Sequence, residues 1–432
     1  MTSLAEKNSP FASLAIRDFR LIVIARFFLL MAVQMQMTTI GLQVYYEYTV
    51  QQPDKVRFYV LGLVGLYEAI PFILSSLYAG HVADKASRRK IIIYALFFLL
   101  LGSLFLVFFT AGYFPAWNVF GFYPLLSAVA LFGIIRAFLA AATTPLISTI
   151  VPRHLYVNAT TWNTSVFHLS SVLGPVCAGL IYGWNNANNA LTVYIMNSLF
   201  FVTAFILFFF VRSKGKPELY HEETIFNSLS AGIKFVFGNR LLLSVLSLDL
   251  FAVLFGGAVA MIPAFTDTIL GKGPEAAGIL RTAPAVGAIL MAIVLAIRPP
   301  GKNSGKLLLA SVIAFGFFTI CFALTSNFYL AFLFLLMTGL VDNFSVVIRH
   351  TILQLQTPEN MRGRVSAVNG IFIGSSNEIG SYESGLAARL LGLVPSIVFG
   401  GVMVMGVVAG VNVWVPELKK TDLTKTEGGD KH

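Results

Sequence analysis

The feature that most limits the fold of this chain is a series of about twelve apolar runs, each long enough to cross a lipid bilayer. Crossing a hydrocarbon core roughly 30 Å thick takes about 20 helical residues. The chain is 57% hydrophobic, only 12% of its residues are charged, and its mean hydropathy is +0.79. A soluble domain carries roughly 25% charged residues. The sequence therefore predicts an all-α integral membrane protein that crosses the bilayer many times.

The predicted membrane helices, numbered 1 to 12, follow these runs in order. We place them near residues 20–46, 58–82, 91–112, 121–148, 163–184, 191–212, 241–270, 276–297, 307–326, 328–354, 365–391 and 393–415. The first twenty residues are polar, and the first apolar run has the length of a full membrane helix. We therefore expect no cleaved signal peptide.

The positive charges between the helices predict the orientation of the chain. With the N-terminus in the cytoplasm, 22 of the 30 Lys and Arg lie in cytoplasmic segments, three lie outside and five lie within helices. Since Lys and Arg favour the cytoplasmic side, both termini are expected there, and the number of helices must be even. The net charge of +10 is spread over short loops, so it indicates topology and not a nucleic-acid surface.

The two halves of the chain repeat one plan. Six identical residues recur at an offset of 206: Pro152/Pro358, Asn163/Asn369, Ser170/Ser376, Gly174/Gly380, Gly179/Gly385 and Leu180/Leu386. Repeated halves with charge inside membrane helices are typical of transporters. The predicted domains are an N-terminal six-helix bundle (1–212), a cytoplasmic linker with an amphipathic helix (213–240), a C-terminal six-helix bundle (241–415) and a cytoplasmic tail (416–432). We expect the polar tail to be disordered.

Charge is distributed unevenly among the predicted helices. Helices 3, 6, 9 and 12 have no acid or base in their cores. The other eight hold the buried ionisable residues, so they suit the lining of a polar path. This period of three helices agrees with three-helix repeats nested within each half.

Acidic residues at membrane depth are candidates for proton transfer, because such groups are costly in lipid and normally face a protein interior or an aqueous cavity. Asp249, Asp342 and Glu378 each lie about halfway along a predicted helix, so they can converge on one level, and Glu383 is a further candidate. The alternative is that each acid is a structural group satisfied by a neighbouring Asn or Arg.

For two combinations of an acid and a base, the sequence leads to different expectations about direct pairing. Asp342 and Arg349 lie on one face of predicted helix 10, seven residues and about 10 Å apart, so we do not expect them to pair directly. Glu68 and Arg136 are as consistent with a static pair inside the N-terminal half as with contact to a substrate.

The loop between predicted helices 2 and 3 has the sequence GHVADKASRRK, from Gly80 to Lys90. It resembles the signature G-x-x-x-D-R-x-G-R-R of the major facilitator superfamily, with Lys85 and Ser87 replacing the usual Arg and Gly. In that superfamily the motif latches the cytoplasmic side against the start of helix 11. The resemblance therefore implies a gating role for a set of six residues. They are Gly80, Asp84, Arg88, Arg89, Arg362 and Arg364.

Two further segments resemble motifs of proton-linked exporters. Arg136 in GIIRAFLAAAT resembles the helix 4 motif of drug/proton antiporters, with Leu139 and Ala140 at positions that usually hold Gln and Gly. GPVCAG resembles the helix 5 antiporter motif, in which glycines permit close helix contact and proline bends the helix. The helix-packing residues that follow are Gly174, Pro175, Gly179 and Gly380.

The stretch from predicted helix 7 to predicted helix 11 resembles the branch that holds bacterial enterobactin (siderophore) exporters and related efflux proteins. That resemblance implies proton-driven export of amphiphilic small molecules by alternating access, from the cytoplasm across the bacterial inner membrane, by a monomer. The proton gradient supplies the energy, and no cofactor, metal or nucleotide is expected. Candidate residues for the substrate cavity are Arg26, Arg136, Arg349, Tyr45 and Tyr382.

Three other functions remain open or are disfavoured. A broad multidrug or macrolide exporter would use the same machinery, and a transport-inactive sensor would keep the fold without ligand-dependent proton flux. A membrane enzyme is disfavoured because none of the six His lies in a metal-ligand spacing such as H-E-x-x-H. Gly301–Leu307 is one residue short of a P-loop and lacks its Ser or Thr, so we expect no nucleotide site.

Overall fold

Helices form all of the regular secondary structure in the described part of the chain. The computed structural model describes residues 11–114, 119–184, 189–212, 225–298, 300–301, 303–358 and 361–422. Its α-helices are α1 Arg17–Gln43, α2 Asp54–Lys85, α3 Arg88–Thr110, α4 Tyr123–Ile150, α5 Tyr156–Gly183, α6 Ala190–Phe209, α7 Ile225–Gly238, α8 Arg240–Phe255, α9 Ile262–Thr268, α10 Pro274–Ile297, α11 Ser304–Leu324, α12 Phe328–Gln356, α13 Arg362–Leu391 and α14 Leu393–Trp414.

The described helices account for the twelve predicted membrane spans. Eleven segments are long and apolar enough to cross a membrane, with α8 and α9 together forming one of them. The twelfth is α13, which is 30 residues long. Its mean hydropathy is low because it carries arginine, glutamate, serine and asparagine residues along most of its length. The chain is a multi-pass membrane protein.

Close contacts divide the chain into two units. Unit 1 comprises residues 1–48 and 67–222, and unit 2 comprises residues 49–66 and 223–432. The first part of α2 therefore belongs to unit 2. The domains predicted from the sequence place the whole of this helix in the N-terminal bundle. Gly62 and Gly65 lie so close to the backbone of α13 that a side chain at either position would meet it. Small residues of this kind let membrane helices approach closely.

Each unit packs its helices in the same pattern, as the repeat predicts. In unit 1, α1 contacts α5 and α6, while α3 contacts α4 and α6. In unit 2, α8 contacts α13 and α14, while α11 contacts α12 and α14. These pairs correspond one to one when the spans are counted within each unit. The prediction of two pseudo-symmetric six-helix bundles is confirmed at the level of each unit's internal packing.

Predicted helix 7 is broken rather than continuous. Helix α8 ends at Phe255, a short 3-10 turn covers Ala258–Met261, and α9 begins at Ile262. Gly256 and Gly257 fall at the break, where their low helix propensity favours termination. Pro263 lies in the first turn of α9, where its missing N–H costs nothing.

The segments outside the bundles are partly helical. The linker contains α7, which packs against α8 and α13; residues 213–224 lie outside the described residues. The prediction of a disordered tail is wrong for residues 416–422. Leu418 is fully buried, and the Gly305 N–H donates to the Thr421 carbonyl at 3.1 Å. The prediction of disorder rests on the polar composition of the tail. Composition does not reveal that one buried apolar side chain and one backbone hydrogen bond attach this short segment to the rest of unit 2.

Candidate functional site

A buried cluster of two carboxylates and one guanidinium lies inside unit 2. Arg349 Nη2 is 2.7 Å from Asp249 Oδ1 and 3.5 Å from Asp342 Oδ1. The side chains of Arg349 and Asp249 are 7% and 10% exposed, whereas that of Asp342 is 41% exposed. Asp342 is therefore the looser and more accessible partner of a shared arginine.

The helices that carry the cluster are fixed by ordinary capping. The Asn239 side chain accepts hydrogen bonds from two backbone N–H groups at the start of α8, and Asn327 does the same for α12. Such caps satisfy donors that a helix end leaves unpaired. Asp249 lies on α8, and Asp342 and Arg349 lie on α12.

The expectation that Asp342 and Arg349 do not pair is wrong. Side chains on a helix point back towards its N-terminus, so the long arginine reaches the residue two turns earlier. The axial separation of about 10 Å overstated the distance between the charged groups. Arg349 Nη1 has no hydrogen-bond partner in the described chain, so part of this guanidinium remains unsatisfied.

The predicted convergence of three acids is only partly reproduced. Arg349 joins Asp249 and Asp342, but Glu378 is not among its ion-pair partners. Glu378 lies on α13, where its backbone carbonyl faces Gly65. Glu383 also lies on α13, and it has no ion pair or hydrogen bond among the described residues. The two glutamates therefore stand apart from the arginine-centred cluster.

Unit 1 holds a simpler pair. Arg136 on α4 forms an ion pair with Glu68 on α2, and its guanidinium lies 5.6 Å from the centre of the Phe72 ring. Gly133, one turn before Arg136, lies against the backbone of Glu68, so the two helices approach closely at this point. One acid is matched by one base.

A second polar network in unit 1 was missed by sequence reasoning. Glu47 lies in the π-helical turn Val44–Tyr48 that continues α1. Tyr182 donates to Glu47 Oε1 at 2.8 Å, and Gln43 donates to Glu47 Oε2 at 3.0 Å. The sequence signal was available, because an acid stands among three tyrosines at the end of the first apolar run, in VYYEY.

The residues predicted to line a substrate cavity lie in different environments. The Arg26 side chain makes no hydrogen bond or ion pair among the described residues, and its Nε is buried. Tyr382 packs edge-on against Tyr59 with ring centres 6.2 Å apart. Tyr45 is fully buried against Tyr46. The prediction that Tyr45 contacts a substrate is not met in this conformation, because none of its surface is accessible.

Two of the predicted gating arginines contact carbonyl groups of their own unit. Arg88 donates to the carbonyl of Pro145 on α4 at 3.3 Å, and Arg89 donates to that of Phe209 at the end of α6 at 2.6 Å. A cation near the last carbonyls of a helix is stabilising. Open space surrounds Gly80, because no atom of the described chain lies within 4 Å of a Cβ placed there.

The remaining gating residues are only partly described. The side chains of Asp84 and Arg362 lie outside the described residues. Arg364 on α13 is described, and its backbone lies against Gly232 of α7. The linker helix therefore packs on the start of α13, next to the basic turn. The latch itself stays a prediction.

The predicted packing glycines lie at matching contacts in the two units. Gly174 on α5 lies against the backbone of α1, and Gly380 on α13 lies against the backbone of α8. The two residues are a pair of the 206-residue repeat, and the helices they touch begin their respective bundles. Pro175 lies inside α5 and Gly179 is buried there.

The described residues contain no group of three or more His, Cys, Asp or Glu that is able to hold a metal ion. A cavity of about 10 Å³ near the break after α8 is lined by the hydroxyl-bearing residues Thr319, Ser384 and Ser396. That volume matches one water molecule.

A family profile described as transmembrane secretion effector, of major facilitator type, matches residues 8–428. No curated protein sequence shows significant similarity to the chain.

The following similar solved structures are distant in sequence. The POT family transporter PepTSo has a TM-score of 0.74 at 11% identity, covering 94% of this chain and 99% of its own. The nucleoside transporter NupG (D323A mutant) has a TM-score of 0.70 at 12% identity, covering 92% and 99%. The human organic anion transporter MFSD10 (TETRAN) has a TM-score of 0.65 at 12% identity, covering 91% and 99%. At these identities the likeness establishes the fold.

Proposed function

This chain belongs to the transmembrane secretion effector family of the major facilitator superfamily, and from that premise we propose that it exports an amphiphilic small molecule in exchange for protons. It is a membrane transporter and not an enzyme. The proposal adds three points: the direction, the coupling ion and the class of substrate. The family description supports secretion as the direction, and it agrees with the exporter-like motifs of α4 and α5.

The observation that supports proton coupling is that carboxylates outnumber the arginine in the buried cluster of unit 2. Two carboxylates share one guanidinium, so the cluster has a net charge of −1 when both are ionised. An unbalanced charge inside a membrane helix bundle is costly, and one bound proton removes it. Among the described residues, the side chain of His350, next to Arg349, also lies close to the cluster.

Asp342 is the acid that fits this role best. Asp249 is held at 2.7 Å by Arg349 and is nearly buried, while Asp342 is held at 3.5 Å and is partly accessible. A proton carrier must exchange with an aqueous path, so the accessible carboxylate is the better candidate. Asp249 then serves as the permanent counter-ion of Arg349. Glu378 and Glu383 are the further candidates, and Glu383 has no ion pair or hydrogen bond among the described residues.

An anionic group on the substrate suits the available cations. Arg26 has no partner among the described residues, and Arg136 is partly exposed. Arginine binds carboxylates, phosphates and aromatic faces. A siderophore-like molecule with acidic and aromatic groups meets these conditions. We further propose that the protein works by alternating access as a monomer in a bacterial inner membrane, with both termini in the cytoplasm.

The test is proton movement in proteoliposomes that contain a pH-sensitive dye. Purified protein is challenged with a catecholate siderophore, a macrolide and a cationic drug. The variants are Asp342→Asn and Glu378→Gln, and Glu68→Gln is the matched control in unit 1. We expect ligand-dependent proton movement to fall below about a tenth of wild type in Asp342→Asn, which corresponds to roughly 1.4 kcal/mol, and to persist in Glu68→Gln.

The other results decide between the alternatives. A response to the macrolide or drug, with none to the siderophore, identifies a multidrug exporter. Unchanged proton movement in Asp342→Asn removes Asp342 from the mechanism, and loss in Glu378→Gln transfers the role to Glu378. Wild-type protein that binds ligand without moving protons contradicts proton coupling and leaves a sensor.

A further inference from the structure

Glu47 lies in the π-helical turn Val44–Tyr48 that continues α1, in a network that the proposed function does not use. Its two carboxylate oxygens accept from Tyr182 at 2.8 Å and from Gln43 at 3.0 Å. Tyr194 donates to the Gln43 carbonyl oxygen at 2.9 Å, and Gln43 also donates to Thr110 at 3.3 Å. Tyr182, Tyr194 and Gln43 are essentially inaccessible.

The carboxylate of Glu47 is not balanced by a basic group. Within the described residues it has no ion-pair partner. Among the described residues, the titratable groups around it include Tyr182 from α5, Tyr194 from α6 and Tyr48 on its own turn, and Thr110 of α3 accepts from Gln43. It also lies at the C-terminal end of α1, where exposed carbonyl groups disfavour an anion. Ionised Glu47 is therefore a half-buried, uncompensated negative charge.

The partners of Glu47 are able to accommodate a bound proton. If Glu47 Oε2 becomes protonated, it needs an acceptor where Gln43 now presents its NH₂ group. Rotation of the amide by half a turn presents the carbonyl oxygen of Gln43 instead, and its NH₂ group then faces Tyr194. A phenol or threonine hydroxyl either donates or accepts. Tyr194 and Thr110 therefore exchange roles, and every hydrogen bond is retained.

A structural network would be built differently. A buried carboxylate that serves only as an anchor is normally paired with a base or held by donors that cannot reverse. Here each group beyond the carboxylate is able both to donate and to accept a hydrogen bond. The chain of hydrogen bonds connects α1 with α5, α6 and α3. The local helix is of the π type, a form that occurs frequently at functional sites.

We propose that Glu47 is a proton-binding site of unit 1, read out by reversal of the Gln43–Tyr194 hydrogen bond. One proton from water binds Glu47 Oε2, no other bond is made or broken covalently, and the charge of the site changes from −1 to zero. This site is separate from Asp342, and its existence does not depend on whether Asp342 carries the transported proton.

The test is pH-difference infrared spectroscopy of the full-length protein in lipid nanodiscs. Glu47→Gln, which imitates the protonated form, should remove one carboxylic-acid C=O band that appears in wild type as the pH falls. Asp342→Asn is the matched control, because it should leave that band in place. Size-exclusion chromatography and circular dichroism establish that each variant is folded.

A second variant keeps the proposal testable if Glu47→Gln does not fold. Tyr182→Phe removes a donor to Glu47 Oε1 that stabilises the ionised carboxylate more than the carboxylic acid, so the midpoint of the Glu47 band should move to higher pH. Tyr182→Phe with an unmoved midpoint would contradict the proposal. So would a wild-type spectrum whose acid bands all persist in Glu47→Gln. Removal of the pH-dependent band by sodium ions at constant pH would identify a metal-cation site instead, which also overturns it.

Discussion

Each unit of this transporter contains an arginine that forms ion pairs between helices of that unit, but the charge around the two arginines differs. In unit 1, Arg136 is paired with the single acid Glu68, whose side chain is 5% exposed. In unit 2, Arg349 is shared by Asp249 and Asp342. The balanced pair needs no proton and suits a fixed contact between α2 and α4. The unbalanced cluster is neutral only with a proton bound, so the number of acids, more than burial, distinguishes the balanced pair from the proposed coupling site.

The largest effect is expected from Arg349→Met. Removing the guanidinium leaves Asp249 buried without a counter-charge, which costs about 3–5 kcal/mol for a broken buried pair. Equilibrium unfolding in mixed micelles measures the loss, and Arg349→Lys, which keeps the charge, should recover part of it. Arg136→Met should cost less, because the Arg136 side chain is 34% exposed. An equal or larger loss in Arg136→Met would remove the distinction between the two sites.

The next largest effect is expected where α4 and α2 approach closely beside the pair of Arg136 and Glu68. Gly133→Ala places a Cβ about 2.5 Å from the Glu68 carbonyl oxygen. We expect a loss of about 1–3 kcal/mol in the free energy of unfolding, as for other overpacked sites. Gly80→Ala is the control in the same unit, because open space surrounds that position. In Gly80→Ala the gain in helix propensity should stabilise the protein slightly. An equal loss in the free energy of unfolding in both variants would contradict the packing argument.

Asp249→Asn converts the unbalanced cluster into a balanced one. Asp342 would then be the only counter-ion of Arg349 and would stay ionised, because its protonation would leave the arginine unpaired. We expect ligand-dependent proton movement to fall about tenfold, or roughly 1.4 kcal/mol, with little change in stability. The proteoliposome assay measures this, and retention of full coupling would show that the second acid is not needed.

The smallest effect concerns the ring beside Arg136. Phe72→Leu removes a cation–π contact with a separation of 5.6 Å, worth about 0.5–1 kcal/mol at a partly exposed site. A double-mutant cycle with Arg136→Met isolates the coupling from the change in packing. A coupling free energy near zero would assign the stability of this site to the ion pair and to the helix contact alone.

Local patterns in the sequence were sufficient for some features and not for others. The length and apolarity of each run predicted the spans, including α13 despite its charges. The 206-residue repeat pairs Gly174 with Gly380, and each of them lies against the backbone of the first span of its unit's bundle. The break at Gly256 and Gly257 was missed, because an apolar run does not reveal where a helix stops. The ordered segment around Leu418 was missed because its pocket is formed by residues far away in the chain.

The sequence by itself determined that this chain is a twelve-span helical membrane protein with two similar halves and ionisable residues inside them. The bilayer imposes those features on each segment separately, because every span must be helical and sufficiently apolar. Only the tertiary structure decided which charges meet. Asp249 and Arg349 are 100 residues apart, and Glu47 meets Tyr182 across 135 residues. Such contacts depend on how helices pack and on how far each side chain reaches, neither of which a single span encodes.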